Sequence, residues 1–316
     1  MRLISAEEID EALDFPSLID ALALAFQGGF VAPARVHHAI ERPGAANTTH
    51  LLMSAWTAGD APGGAWIGTK IVNVFPSNGQ LGLPAVLGLY VLQSGDTGEP
   101  VAAMSGTRLT HWRTAAASAL AAKFLARPDA SRLLIVGAGA LAPFLARAHA
   151  SVRPIQEVTI WNHRPEGAKR LAASLAGENW RVRVADDLQA AVREADVISC
   201  ATLSSEPLIG GAGLAPGQHV DLVGAFNLAM REVDDEALRR ARVFIDTEAA
   251  LSEGGDVAIA LRSGAIERAH VVADLGALCR GAPGRTGPEE ITLFKSVGAA
   301  LEDLAAAMLI WKAVGP

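Results

Sequence analysis

The 316-residue chain sets 27 Lys and Arg against 34 Asp and Glu, a formal net charge of -7, which argues against a nucleic-acid surface. Half of its residues are hydrophobic, enough for one large core or, better, two domains, while no apolar run approaches the length of a bilayer span. Two cysteines, Cys200 and Cys279, suggest neither a disulfide framework nor a thiolate metal cluster, and the acidic opening segment lacks the charge pattern of a targeting peptide; a reducing, cytoplasmic compartment is expected.

Taken in order, Ser5-Ala-Glu-Glu8 has the spacing of a capping box, and Ser17 with Asp20 reads as a second N-cap ahead of 18–26, so two helices open the chain. The pattern then turns to β over 36–41, 51–57, 65–75, 85–93 and 101–103, with Gly, Pro, Asn and Asp in the breaks and a hairpin-type connection at 94–100. Sequential strands joined by short turns predict a mainly antiparallel sheet and a first domain of its own. A long Ala-rich helix beginning near Leu109 carries the predicted domain boundary: residues 1–115, completed by a C-terminal helix within 292–316, form one domain and 116–291 the other.

The second domain opens on Leu133-Leu-Ile-Val-Gly-Ala-Gly-Ala-Leu-Ala142, a buried-type strand running into a Gly137-x-Gly139-x-x-Ala142 turn and a helix. Gly137 permits the tight turn, Gly139 lets the backbone approach a pyrophosphate, and Ala142 lets the helix pack closely on the strand. Strands at 157–161, 181–185, 197–201, 219–223 and 243–246 alternate with helices, which predicts an α/β fold with a doubly wound parallel sheet of Rossmann type beside an α+β domain. The segment 291–314 reads as a helix with Phe294, Val297, Leu301, Leu304 and Met308 on its apolar face.

Three cations stand out. Arg35 opens a strand, and Lys70 is embedded in the apolar run Ile67-Gly-Thr-Lys-Ile-Val-Asn-Val-Phe-Pro76, where a lysine on the exposed face is the plainer alternative. Arg113, read as lying in the first turn of the Ala-rich helix, makes electrostatic sense beside a positive helix end if an anion such as a small carboxylate binds there. His111, in the same turn, is a candidate proton donor. The eight histidines lack ligand spacing, and His37 and His38 point to opposite faces of their strand, so no metal is expected. Asn162-His163-Arg164 ends the second strand of the dinucleotide domain; an acid there would accept from both ribose hydroxyls, whereas Asn and Arg favour a 2′-phosphate and hence NADPH, with NADH possible.

With these residues assembled, the chain resembles the ornithine cyclodeaminase and mu-crystallin family from Arg35 to the C-terminal helix. The carrying segments are Gly68-Thr-Lys-Ile-Val-Asn-Val-Phe-Pro-Ser-Asn78, Leu109-Thr-His-Trp-Arg-Thr-Ala-Ala-Ala-Ser-Ala-Leu120, the glycine turn, Val223-Gly-Ala-Phe-Asn-Leu-Ala-Met-Arg-Glu-Val-Asp234 and Phe294-Lys-Ser-Val-Gly-Ala-Ala-Leu-Glu-Asp303. The resemblance implies a substrate-binding and dimerisation domain beside a Rossmann domain, and a homodimer made by joining sheets of two subunits. It places Arg35, Lys70 and Arg113 on the substrate carboxylate, with Lys70 as catalytic candidate and Phe226 against the substrate. It places Arg113, Ala140, Leu141, Asn162, Thr202, Val223 and Ser296 in or near the cofactor site. Three departures shape the expectation: Asn162 stands where members that use NAD for deamination tend to carry Asp, Phe226 where cyclodeaminases have a catalytic Asp, and Leu141 where Gln is frequent. The chain is most similar in these respects to the cyclic-imine reductases of the family. That implies reduction of Δ1-pyrroline-2-carboxylate or its six-membered homologue by NADPH. A cyclodeaminase acting on ornithine with bound NAD, and a crystallin-like ligand-binding protein, are the alternatives.

Overall fold

The computed structural model describes residues 1–44, 46–59 and 63–315; Pro316, the last residue of the expected C-terminal helix, lies outside them. The chain divides into two compact units, Met1–Arg113 with Ala299–Pro316, and Thr114–Gly298.

In the first unit the capping box forms: the Ser5 hydroxyl accepts from the Glu8 amide and the Glu8 carboxylate from the Ser5 amide, opening helix Ala6–Ala12. The next helix, Phe15–Gln27, is capped by Asp14 rather than by Ser17, because Asp14 accepts from the Ser17 amide and Pro16 fills the first turn. It buries Phe15, Leu18, Ile19, Leu22, Ala25 and Phe26, one stripe at helical spacing. Strands Thr48–Thr57, Trp66–Val74, Val86–Ser94 and Pro100–Ser105 form the expected antiparallel meander. Val36–Ile40 and Phe30–Val31 both pair with Thr48–Thr57, and Arg2–Ile4, which the residue pattern does not announce, adds in parallel to Pro100–Ser105. Across the meander Met53, Lys70, Tyr90 and Met104 fall in one row, so their side chains share the buried face. Helix Ala300–Val314 covers that face, packing on Thr48–Thr57, Trp66–Val74 and helix Phe15–Gln27.

The Ala-rich helix spans Gly106–Leu125, three residues earlier than its apolar pattern suggests. Arg113 and His111 therefore lie in the second and third turns, away from the helix end, and the dipole argument for an anion at Arg113 does not apply.

The second unit is a parallel eight-stranded sheet, in the order Arg181–Val184, Glu157–Trp161, Arg132–Val136, Val197–Cys200, His219–Leu222, Thr292–Lys295, Arg242–Ile245, Val271–Asp274. Strand order reverses between Arg132–Val136 and Val197–Cys200, the switch point of a doubly wound α/β fold. One element departs from expectation: 292–295 is a strand and the helix begins only at Ala300. Residues at 294, 297, 301, 304 and 308 keep helical spacing across the break. Thr292, Leu293, Phe294 and Lys295 are all fully buried between two strands, and Gly298 turns the chain at φ 79°. Among the described residues no helix is long and apolar enough to cross a membrane.

Candidate functional site

In the first unit Lys70 and Arg113 are brought together by two carboxylates at the start of the C-terminal helix. Lys70 Nζ lies 2.8 Å from Asp303 Oδ1 and 2.7 Å from Oδ2, and donates to Thr110 Oγ1 at 3.3 Å. Arg113 donates from Nε to Asp303 Oδ1 at 3.0 Å and from Nη1 to Glu302 Oε2 at 2.8 Å. The other Glu302 oxygen accepts the Ala299 amide at 3.2 Å. All four side chains are buried, so Lys70 is not an exposed-face lysine, and the cations do not confront each other unscreened: two cations meet two anions. Burial first, and then the Arg113 charge, push the Lys70 pKa down to about 8 against the pull of Asp303. Burial also works against the Arg113 charge, but Asp303 and Glu302 outweigh it and hold its pKa above the ordinary value.

Arg35 is half-buried and immediately precedes Val36, whose partner is Leu52; the next residue of that neighbour strand, Met53, pairs with Lys70. His111 is held neutral, its pKa pushed down to about 4 by burial and by the Arg108 charge, so it is no proton donor at neutral pH. Glu302 and Asp303 are the residues that reading by residue type misses. Their only sequence signal is a pair of acids inside the otherwise apolar 300–310 segment.

In the second unit the dinucleotide candidates line up along the carboxyl edge of five adjacent strands. Gly137, Gly139, Ala140 and Leu141 follow Arg132–Val136; Asn162, His163 and Arg164 follow Glu157–Trp161; Thr202 follows Val197–Cys200; Val223 and Phe226 follow His219–Leu222; Ser296 follows Thr292–Lys295. Gly137 sits at φ 104°, and a Cβ there would come within 2.7 Å of the Ala201 carbonyl oxygen. At Gly139 a Cβ would meet nothing within 4 Å, which leaves room for a phosphate over the exposed Gly139 and Ala140 and the start of helix Ala142–Val152. Ala142 is fully buried against its strand. These observations fit a dinucleotide, which the glycine turn, Thr202 and the 162–164 corner would hold.

Asn162 does something other than the ribose reading. Its Oδ1 accepts the Ala138 amide at 3.1 Å and its Nδ2 donates to the Arg164 carbonyl at 2.8 Å, so the side chain staples the glycine turn to the next strand end. His163 and Arg164 are exposed, Arg164 at the N-cap of helix Pro165–Ser174 with no side-chain capping bond. Phe226 is half-buried and its amide donates to the Gly224 carbonyl. Thr202 is tied to a residue outside the expected set, Glu232, which accepts from the Thr202 amide at 2.7 Å and hydroxyl at 2.9 Å.

The profile of the ornithine cyclodeaminase/mu-crystallin family matches residues 5–315. A Δ1-pyrroline-2-carboxylate reductase of Paracoccus denitrificans is 42% identical over 83% of this chain and 82% of its own. The solved structure of a Δ1-pyrroline-2-carboxylate reductase of Thermococcus litoralis, in complex with NADH and L-proline, superposes with a TM-score of 0.93 at 31% identity, covering 99% of this chain and 97% of that one. An archaeal alanine dehydrogenase dimer with bound NAD follows at a TM-score of 0.91 and 30% identity, covering 99% and 95%.

Proposed function

The chain belongs to the ornithine cyclodeaminase/mu-crystallin family, and from that premise we propose that it is an imine reductase, reducing a cyclic ketimine carboxylate, Δ1-pyrroline-2-carboxylate or Δ1-piperideine-2-carboxylate, to L-proline or L-pipecolate with NADPH. Similarity to the Paracoccus and Thermococcus reductases supports the reaction class. The observation that carries the reductase reading over deamination is the state of the acids that follow Phe226. A cyclodeaminase has to move protons on nitrogen and expel ammonia, which calls for an available carboxylate. Here Glu232 has both oxygens occupied by amide and hydroxyl donors. Asp234 caps helix Asp235–Arg240 and accepts the Gly211 amide, and Asp235 pairs with Arg231. Phe226 itself accepts no proton, and its ring suits an apolar cyclic substrate better than a flexible diamino acid with a second charge.

A preformed iminium needs less. Lys70, Arg113 and Arg35 hold the substrate carboxylate and orient the ring, and Lys70, with its pKa near 8, supports proton balance at the imine nitrogen. Bound NADPH supplies the hydride. Gly137 to Leu141 take the pyrophosphate, Thr202, Val223 and Ser296 border the nicotinamide half, and His163 and Arg164 meet the 2′-phosphate. The protein acts as a homodimer: Leu3, Val36, Ile40, Trp56, Leu87 and Leu89 are exposed together on the face of the first unit's sheet opposite Lys70, an apolar surface suited to a second copy.

The test compares purified protein on Δ1-pyrroline-2-carboxylate and its six-membered homologue with NADPH, and on ornithine with NAD. NADPH consumption with formation of the cyclic amino acid is the expected result. Ammonia release from ornithine without imine reduction would mean that another group replaces the missing acid, and inactivity in both would favour a ligand-binding protein.

A further inference from the structure

Three ionisable side chains of the second unit, Glu232, Asp256 and Lys295, are fully buried and have no part in the chemistry above. Glu232 is met by four donors: the Thr202 amide and hydroxyl on Oε1, the Gly224 amide at 2.8 Å and the Ala225 amide at 3.3 Å on Oε2. Those donors come from two segments, one leaving strand Val197–Cys200 and the other leaving its neighbour His219–Leu222. Asp256 Oδ1 in turn accepts the Glu232 and Val233 amides at 2.7 and 3.1 Å, and Asp256 Oδ2 lies 3.2 Å from Lys295 Nζ. The cluster borders the glycine turn: a Cβ at Gly137 would come within 3.2 Å of Thr202 Cγ2, and one at Gly224 within 2.1 Å of the Thr202 carbonyl oxygen. With pyrophosphate at the glycine turn and adenosine toward Glu157–Trp161, the nicotinamide half runs the other way, across these two strand ends.

We propose that Glu232 is a positioning residue for the cofactor: it clamps Thr202 and the Gly224–Ala225 amides into one rigid rim that receives the nicotinamide half, while Asp256 and Lys295 hold the clamp in place. The inference rests on the dinucleotide reading of this edge. All four donors require an acceptor, so the clamp is made by the ionised carboxylate and loosens when it is protonated. Burial pushes the Glu232 pKa up to about 7, with Lys295 opposing and Asp256 adding to the rise; the Cys200 thiol, pushed up by burial, feels the Glu232, Asp256, Asp221 and Lys295 charges in turn.

The experiment measures dissociation constants of NADPH and of 2′-phospho-ADP-ribose, which lacks the nicotinamide, for wild type and Glu232→Gln. Loss of one charged acceptor is expected to weaken NADPH by about ten- to hundredfold, while the fragment stays within about twofold of wild type. In wild type the preference for NADPH over the fragment should fall as pH drops through about 7, and this dependence should vanish in the variant. Equal weakening of both ligands, or of neither, overturns the proposal. Where the variant does not fold, a wild-type preference that is unchanged between about pH 5.5 and about pH 8 overturns it. Wild-type protein that binds neither ligand refutes the dinucleotide reading itself, a result distinct from these.

Discussion

At the scale of single residues the two proposed binding regions call for different kinds of charge. Arg164 is exposed beside a helix start, and its guanidinium would match the charge of the proposed 2′-phosphate. Arg164→Ala is expected to raise the NADPH dissociation constant by about tenfold and that of NADH by less than about twofold; titration of both cofactors checks it, and equal losses would remove Arg164 from the phosphate. Lys70 works in the opposite setting, wholly buried. With its pKa near 8, it is charged below that pH and neutral above, so in the proposed clamp it would hold a carboxylate only below that pH. Binding of an unreactive aromatic carboxylate of fixed charge, such as pyrrole-2-carboxylate, should therefore weaken as pH rises through about 8, and a flat profile would take Lys70 out of the clamp. Arg113 adds a structural duty: Arg113→Ala removes the cation that faces Glu302 and leaves Asp303 with Lys70 alone, a loss of about 3–5 kcal/mol for a broken buried pair, measurable as a lowered denaturation midpoint. Lys70 was conspicuous as a cation inside an apolar run, whereas Arg113 was singled out by a helix-end argument that its place inside helix Gly106–Leu125 removes. Their partner Asp303 stands 233 and 190 positions further on, a pairing that residue spacing does not encode.

At the scale of elements the strands and glycine turn were legible because period-two and continuous apolar patterns report burial directly. The failure at 292–295 has the same physics in reverse. A strand buried on both faces shows no alternation, and its apolar residues ran in phase with the helix that follows. Caps were legible where the pattern was complete, at Ser5 and Glu8, and misassigned where Asp14 competed with Ser17. The glycine turn carries its own prediction. Gly137→Ala places a side chain in left-handed backbone and within 2.7 Å of the Ala201 carbonyl oxygen, so strain of about 1–3 kcal/mol and displacement of the turn are expected. Calorimetry should show a lowered Tm and weakened NADH binding together; unchanged cofactor binding would separate the turn from the cofactor.

At the scale of the whole molecule the exposed leucines of the first unit's sheet predict assembly. Leu87 and Leu89, 43% and 46% exposed, lie on the same sheet face as Val36 and Trp56. Leu87→Glu with Leu89→Glu should convert a dimer into a monomer in light scattering, because two carboxylates on each copy would have to be buried unpaired. A double variant that keeps the dimer mass would move the interface elsewhere.

The order of strands in the second unit also bears on how the chain is made. Thr292–Lys295, the last of this sheet's eight strands in chain order, lies between His219–Leu222 and Arg242–Ile245, which are not paired with each other. Until the ribosome has delivered it, a five-strand piece and a two-strand piece wait with bare edges, each able to pair with another chain. Closing the sheet is thus postponed until residues 292–295 have been made, and an arrested or truncated chain ending before residue 292 would be a target for chaperones and aggregation rather than a smaller folded domain.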